Sequence, residues 1–389
     1  MKRALGFGSA AMAISWSGAA VAQSAPLEIE TSAEAVTVAT LTGDTEQGTD
    51  NERILYEFSL DARAEKVLEN GLQIGGRLTV RAQRDHPERP GFAGDFGVTP
   101  APRGAYSGLS AGGPVNETDA RAQLETAYVE FDGGYGELRV GRDRGAAARL
   151  FEGAPSVLSH AGIANAYLDP MGVKAIRTNH DLTGPSTKIT YASPRILGLR
   201  AAASFSPDAD VPGLDRDIAR LDEGLEVKNA AEVALNLSRR LRSAGMRFES
   251  AIAWSSAEVE SPSPGVAGRV ETFSAGANFE FDSFEFGGSW LTSDNGFEGA
   301  STYNAWEIGA ETSFGETAVS LNYGEAEDEL AGIDSEGFSV AARRRLMDGL
   351  DLAVSYQDEI LSFGPNQSGG TGVVVEITLS GDFFELNGN

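Results

Sequence analysis

Apolar residues in this chain recur at every second position, segment after segment, and that period leaves little room for anything but β-sheet. In Val373-Val374-Val375-Glu376-Ile377-Thr378-Leu379-Ser380 the odd positions are apolar, while Glu376, Thr378 and Ser380 share the other face. Phe284, Phe286 and Trp290 oppose Glu285, Gly287 and Ser289. Leu350, Leu352, Val354 and Tyr356 oppose Asp351, Ser355 and Gln357. Ala231, Val233, Leu235 and Leu237 oppose Glu232, Asn236 and Ser238. A helix, at 3.6 residues per turn, would scatter such residues around its circumference.

The connections between these segments are sorted by length. Very short turns rich in Gly, Asn and Asp fall at Glu69-Asn70-Gly71, Gly133-Gly134, 194–198, 242–245, Asp282-Ser283, Gly315-Glu316 and Met347-Asp348-Gly349. These residues supply the positive φ of tight hairpins. Between them lie longer polar stretches at 85–118, 145–185, 207–226, 259–268, 295–302, 328–334 and 362–370. The pattern predicts sixteen strands, near 30–42, 53–67, 71–84, 119–132, 135–143, 186–193, 197–206, 227–241, 245–258, 269–281, 284–294, 303–314, 317–327, 335–346, 350–361 and 371–383. An even number of strands joined alternately by short and long connections describes an all-β fold, a transmembrane antiparallel β-barrel with short periplasmic turns and long outer loops. Tyr56, Phe58, Tyr128, Phe131, Tyr135, Phe281, Phe284, Phe314, Tyr323 and Tyr356 fall near strand ends, where interfacial aromatic girdles belong.

The first residues supply the address. Lys2 and Arg3 precede a small, apolar stretch that ends in Ala20-Val21-Ala22. This is the pattern of a cleaved secretory signal peptide. Residues 1–22 are therefore expected to lie outside the fold, with 23–389 forming one barrel domain. There is no cysteine, so export brings no disulfide framework, and closure and burial must supply stability. Mean hydropathy is −0.20, a value that conceals a barrel because each spanning strand is short and alternates in polarity.

Charge excludes some partners. The 57 acidic and 31 basic residues give −26, which argues against nucleic acid. His86, His160 and His180 lack metal spacing and are expected as solvated loop residues. The acidic run Glu325 to Glu336 offers Ca²⁺ ligands in an outer loop but lacks the EF-hand pattern, so no cofactor is expected and a solvated loop is the plainer reading. No nucleophile elbow, P-loop or dinucleotide fingerprint occurs in its structural context, and no enzyme activity is expected.

Two stretches carry a resemblance. Leu68-Glu69-Asn70-Gly71-Leu72-Gln73-Ile74-Gly75-Gly76-Arg77-Leu78 resembles the first periplasmic turn of Gram-negative general diffusion porins, and 127–142, with its Gly133-Gly134-Tyr135-Gly136 turn and Gly141-Arg142 pair, resembles the hairpin before their third loop. The flavour is closest to alphaproteobacterial porins of sixteen strands. The resemblance implies a water-filled channel for passive diffusion of small hydrophilic solutes and ions. It further implies a homotrimer in the outer membrane, in contact with lipid and lipopolysaccharide, and a third loop, 145–185, folded into the lumen. Such porins end on an aromatic residue; this chain runs past Phe383 to Asn389, and Phe383 keeps the lipid-facing parity of Val373 to Leu379.

A channel needs no covalent chemistry, only a constriction of chosen width and field. Wall bases are expected at Arg63, Arg77 and Arg81, which fall on lumen parity, at Lys188 and Arg200 by the same reasoning, and at Arg142, by likeness to the wall arginine at the entry to loop three. Loop acids are expected at Glu152, Asp169 and Asp181. Together they would set up a transverse field that selects ions. Two other readings stay open: a substrate-specific outer-membrane channel, and an exported soluble β-sandwich acting as a binding module or adhesin. The outward strand faces decide against or for the last, since a barrel needs them apolar on every strand.

Overall fold

The computed structural model describes residues 26–42, 54–86, 89, 103–110, 120–209, 211–216, 225–241, 245–261 and 265–387. They form a closed barrel of sixteen antiparallel strands in which each strand pairs with its sequence neighbours and the first pairs with the last. The strands are β1 Glu28–Thr42, β2 Ile54–Val67, β3 Gln73–Arg84, β4 Arg121–Gly133, β5 Gly136–Asp143, β6 Ser186–Ala192, β7 Leu199–Asp208 and β8 Glu226–Leu241. They continue as β9 Met246–Glu260, β10 Arg269–Phe281, β11 Phe284–Ser293, β12 Tyr303–Phe314, β13 Thr317–Asp328, β14 Ile333–Met347, β15 Leu350–Phe363 and β16 Asn366–Asn387. Among the described residues a single short helix, α1 Ala146–Arg149, opens the third loop. Residues 1–22, expected to be an export signal, and most of the second loop lie outside the described residues.

Alternation has the expected outcome. One face of every strand carries exposed apolar side chains, among them Phe58, Leu78, Phe131, Val140, Ile189, Phe205, Val233, Trp254, Phe273, Phe286, Ile308, Leu321, Val340, Tyr356 and Ile377. The other face carries Ser, Thr, Asn, Glu and Arg. Closure removes both sheet edges, which is how a β protein satisfies its backbone in a membrane. An outward apolar face all the way round leaves no room for a β-sandwich.

Two outer connections are shorter than expected. The stretch 362–370 is not a loop: β15 and β16 pair as far as Phe363 with Asn366, around Gly364 (φ +56°). The acidic run is not a loop either. Glu325, Glu327, Asp334 and Glu336 stand on β13 and β14, facing outward, because only residues 329–332 turn. Polar residues do not mark a loop here, because at the outer rim a strand leaves the lipid and its outward face is wet. Among the described residues no group of three His, Cys, Asp or Glu is placed to hold a metal ion. Phe383 is exposed and is itself the extra residue of a bulge in β16, between the pairs Thr31–Phe384 and Ser32–Asp382.

The core of this barrel lies inside it. Tyr106 and Leu109 of the second loop, Val173, Ile176 and Leu182 of the third, and the inward-facing Val227, Val259, Val270, Leu291 and Tyr303 of the wall form one buried apolar cluster in the outer half of the lumen. Inward glycines make space for it. A Cβ at Gly276 of β10 would stand 1.9 Å from the Glu152 carbonyl, and one at Gly337 of β14 would stand 3.2 Å from Ile163. Gly276→Val is therefore expected to push the start of the third loop off the wall, costing about 1–3 kcal/mol by overpacking. A fall in thermal unfolding temperature together with changed single-channel conductance checks it; unchanged conductance would show that the loop does not depend on this contact.

Candidate functional site: the lumen and its constriction

The third loop runs out across the lumen to β16 and returns. Its outbound pass begins with α1, whose Ala146 and Ala147 pack on Ala202, Ala234 and Ala253 of the wall. It then takes hydrogen bonds from Asn236 of β8 to Glu152 (2.8 Å) and from Asn322 of β13 to the Pro155 carbonyl (2.7 Å). At the far side Glu376 of β16 accepts the backbone N–H groups of Ser159, His160 and Ala161 at 2.9–3.1 Å and the Ser159 hydroxyl at 2.8 Å. The return pass is tied to the Gln357 side chain of β15 by Lys174 (3.1 Å), to the Tyr303 hydroxyl of β12 by the Arg177 N–H (2.7 Å) and to Glu232 of β8 by Thr183 (2.8 Å).

Histidines serve this circuit, correcting their expected place in solvent. All three are buried. His160 lies between Glu34 and Glu57 (each 3.5 Å) and Glu376 (3.9 Å). Burial disfavours its charge, but hydrogen bonds to Glu376 and Glu57 win and hold its pKa at about 10. His180 sits between the Ser274 and Ser255 hydroxyls, at 2.8 and 2.7 Å, with no carboxylate to oppose desolvation, and its pKa falls to about 3. Loop position says nothing of exposure when the loop folds inward.

The expected constriction residues separate into groups. Arg81 is inward and largely buried, 3.2 Å from Glu57 and 3.8 Å from Glu125, with its guanidinium 4.3 Å from the centre of the Tyr167 ring. Arg63 and Arg77 are also inward, but nearer the periplasmic mouth, half-exposed and paired with Glu65 (2.8 Å) and Asp61 (2.7 Å). Lys188 is inward yet covered, giving its protons to Thr183 and the Gly184 carbonyl, both at 2.8 Å, so it fastens the loop. Arg200 is inward and bonds Glu137 at 2.7 Å. Arg142 needs correction: it shares parity with the outward Leu138 and Val140 and donates to the Leu124 carbonyl, so it stands on the outer wall.

Among the acids, Glu152 is half-buried on the loop. Asp169 is wholly buried and accepts the backbone N–H groups of Gly172 and Lys174 (both 2.7 Å) and Met171 (3.2 Å). It shapes a turn and does not face the pore. Asp181 is buried too: it lines a small cavity among the loops, and its Oδ1 lacks a hydrogen-bond partner among the described residues.

Asp181 belongs to a cluster that no periodicity announced. Arg144, Asn165, Tyr167, Arg177, Asp181, Asp215 and Arg216 surround a cavity of about 20 Å³ where the second, third and fourth loops meet, room for a water molecule. Arg144 donates to the Tyr167 hydroxyl (3.0 Å) and lies 3.5 Å from Glu125. Arg177 donates to the carbonyls of Ser107 (3.0 Å) and Asp215 (2.9 Å) while its Nε lacks a partner among the described residues. Burial opposes ionisation of Asp215, but the guanidiniums of Arg177, Arg216, Arg89 and Arg144 outweigh it and hold the pKa at about 2. For Arg177, burial and the like charges of Arg216 and Arg89 bring the pKa down to about 10. The arrangement does no covalent chemistry. It fixes charges of both signs where the loops fill the lumen.

A sixteen-strand closed barrel whose third loop constricts a charged lumen can now be set beside known proteins. The sequence profile of the Gram-negative porins matches residues 8–359. This chain belongs to that family. No curated protein matches it. Solved structures share the fold at low identity. OmpF of Salmonella typhi, in complex with daunomycin, is 13% identical over 92% of this chain and 98% of its own, with a TM-score of 0.60. The outer-membrane channel DcaP of Acinetobacter baumannii is 10% identical over 91% and 97%, at 0.56. A mutant form of the Rh. blastica porin is 14% identical over 92% and 100%, at 0.51. As a porin, the protein is an outer-membrane channel for passive diffusion of small hydrophilic solutes, and the soluble and substrate-specific alternatives are not favoured.

The porin has a second charged zone on the periplasmic side of the loop. Glu280, Glu285 and Glu311 stand side by side on β10, β11 and β12, all inward. Arg63 and Arg77 are register partners on β2 and β3. Strands β3 and β11 are eight apart in a ring of sixteen, so the two groups face one another across the mouth, about 30 Å apart from strand spacing and tilt. The acids of this field were expected on the loop; the wall supplies them.

Proposed function

We propose that this porin conducts with a preference for small cations, set in two steps. The observation that carries the reading is the row Glu280, Glu285 and Glu311, of which Glu285 and Glu311 have no ion-pair partner among the described residues, whereas Arg63 and Arg77 opposite are each matched by a carboxylate. Unmatched charge lining a mouth concentrates the counter-ion. Arg81, Arg144 and Asp181 then form the narrow zone. Reversal potentials under a salt gradient test this: Glu285→Gln with Glu311→Gln is expected to lower the cation-to-anion permeability ratio at least twofold at low salt, with a smaller effect at 1 M as screening shortens to about 3 Å. A ratio unmoved by the double variant would overturn the assignment.

The reading includes no catalytic residue and no cofactor, and takes residues 1–22 as the export signal. It also takes the protein as a homotrimer. The outward face of β1 supports this, since Ala33, Ala35, Thr37 and Ala39 form a flat strip of small residues where other strands present large ones. The outward Arg142 also supports it, because an arginine facing lipid costs about 2–4 kcal/mol at the midplane. Heat-modifiable migration in detergent, with the unheated form at three barrel masses and conductance steps in planar bilayers, is the expected result; a conducting monomer would leave the channel and remove the trimer.

A further inference from the structure

The outer wall is shallow over β7. Ala201 and Ala203 face outward there, between Tyr191 of β6 and Val233 and Leu235 of β8. The strand register sets Tyr191, Ala203, Val233, Trp254 and Phe273 in one row across five strands, with alanine at its low point. The result is an apolar groove of about 440 Å³ on the membrane side. Behind it the inward residues are alanines too, and α1 packs directly on them. The wall is thus at its thinnest where the third loop begins.

The periplasmic end of this groove carries a cation. From Leu235 the outward parity of β8 continues through Leu237 to Arg239, four residues and about 13 Å further on. The Arg239 side chain lies against Gly198, its Cγ 2.7 Å from where a Cβ on that glycine would stand. Arg195 donates to the Gly198 carbonyl at 2.8 Å. Neither guanidinium has a carboxylate within 4.0 Å among the described residues, although acids outnumber bases 57 to 31 in the chain.

We propose that the groove binds one acyl chain of an anionic phospholipid of the periplasmic leaflet, with its phosphate on Arg239. The alanine floor gives the chain a seat that the aromatic-crowded faces of β10 and β11 do not. A guanidinium is suited to phosphate, offering several N–H donors in a planar fork. The bound chain would back the wall behind α1 and so steady the start of the constricting loop. This rests on the membrane placement of the barrel, but it fails separately: a protein that conducts normally yet retains no phospholipid retires the site and keeps the channel.

Native mass spectrometry of the purified full-length porin, titrated with phosphatidylglycerol or phosphatidylcholine, tests it. One phosphatidylglycerol is expected to stay bound per barrel. Ala203→Trp, which fills the groove on a face that tolerates tryptophan, is expected to abolish that binding, while Ala342→Trp on the outward face of β14 leaves it intact. Arg239→Gln is expected to weaken phosphatidylglycerol about fivefold, the effect of one surface cation on an anionic lipid, and to leave phosphatidylcholine unchanged. Equal retention by wild type and Ala203→Trp, equal loss in Ala342→Trp, or equal phosphatidylglycerol affinity with and without Arg239 would each overturn the proposal. If Ala203→Trp does not insert, the Arg239 comparison decides alone. Displacement of the bound lipid by lipopolysaccharide at equimolar amounts would place the site in the other leaflet and also overturn it.

Discussion

Glu376→Gln is expected to free the far side of the third loop and turn a quiet channel into a noisy one. Glu376 accepts three backbone N–H groups and a hydroxyl from residues 159–161, and it is one of three carboxylates around His160. His160 keeps Glu34 and Glu57 at 3.5 Å, so what is lost is the charge on the acceptor of these hydrogen bonds, and a hydrogen bond to a charged group contributes about 1.5–3 kcal/mol. Glutamine keeps the shape but loses the charge. The local cost should exceed what holds that stretch of loop, so single-channel records should show new flicker while the barrel still migrates as folded. His160 gives the same contact a pH dependence. Its pKa in the folded protein, about 10, lies above the ordinary histidine value of about 6.5. Its contribution is therefore complete below about pH 6.5 and is lost as pH rises through about 10. Wild-type flicker should rise at alkaline pH, and Glu376→Gln should show it already at neutral pH. Records of equal noise in the two proteins at pH 7 would show that the loop is held elsewhere.

Arg144→Ala is expected to have the largest effect on selectivity. Arg144 stands at the head of the third loop, donates to Tyr167 and balances Glu125. Its loss widens the narrow zone and leaves Glu125 and Asp181 less opposed. A unit charge about 6 Å from a passing ion, at an effective dielectric of 20, is worth about 3 kcal/mol before screening. Salt and mobile water reduce this, so the expectation is a several-fold rise in cation-to-anion permeability ratio and a higher conductance. Arg142→Ala is the control, since that side chain lies on the outer wall, and it should leave both quantities unchanged. A selectivity that follows Arg142 and not Arg144 would overturn this account of the constriction.

The contrast between these neighbouring arginines shows what could be read in advance. Parity along a strand told correctly that Arg63, Arg77, Arg81, Lys188 and Arg200 face inward, because a pleated strand sends alternate side chains to opposite sides. Arg142 was taken from likeness to a motif, and counting from Leu138 and Val140 would have sent it outward. Arg144, Tyr167, Arg177, Asp215 and Arg216 gave no advance signal. They lie on loops, where no period links position to direction, and they meet only because three loops fold into one space. The histidines were misplaced for the same reason. Lys188 shows a limit of parity: it fixes the direction of a side chain, but not whether a loop covers it.

The barrel was legible from local pattern alone: its strand count, the sense of each strand, the lipid-facing and lumen-facing residues, and the side on which connections are short. All of these follow from local alternation and turn chemistry, which act over a few residues at a time. How the lumen is filled depends on contacts between distant parts of the chain. The circuit of the third loop, the carboxylate that pins it, and the charge cluster at the narrow zone join residues up to 217 positions apart. Such contacts depend on closure of the ring, which brings β1, β2 and β16 together at the seam where Glu34, Glu57 and Glu376 meet His160.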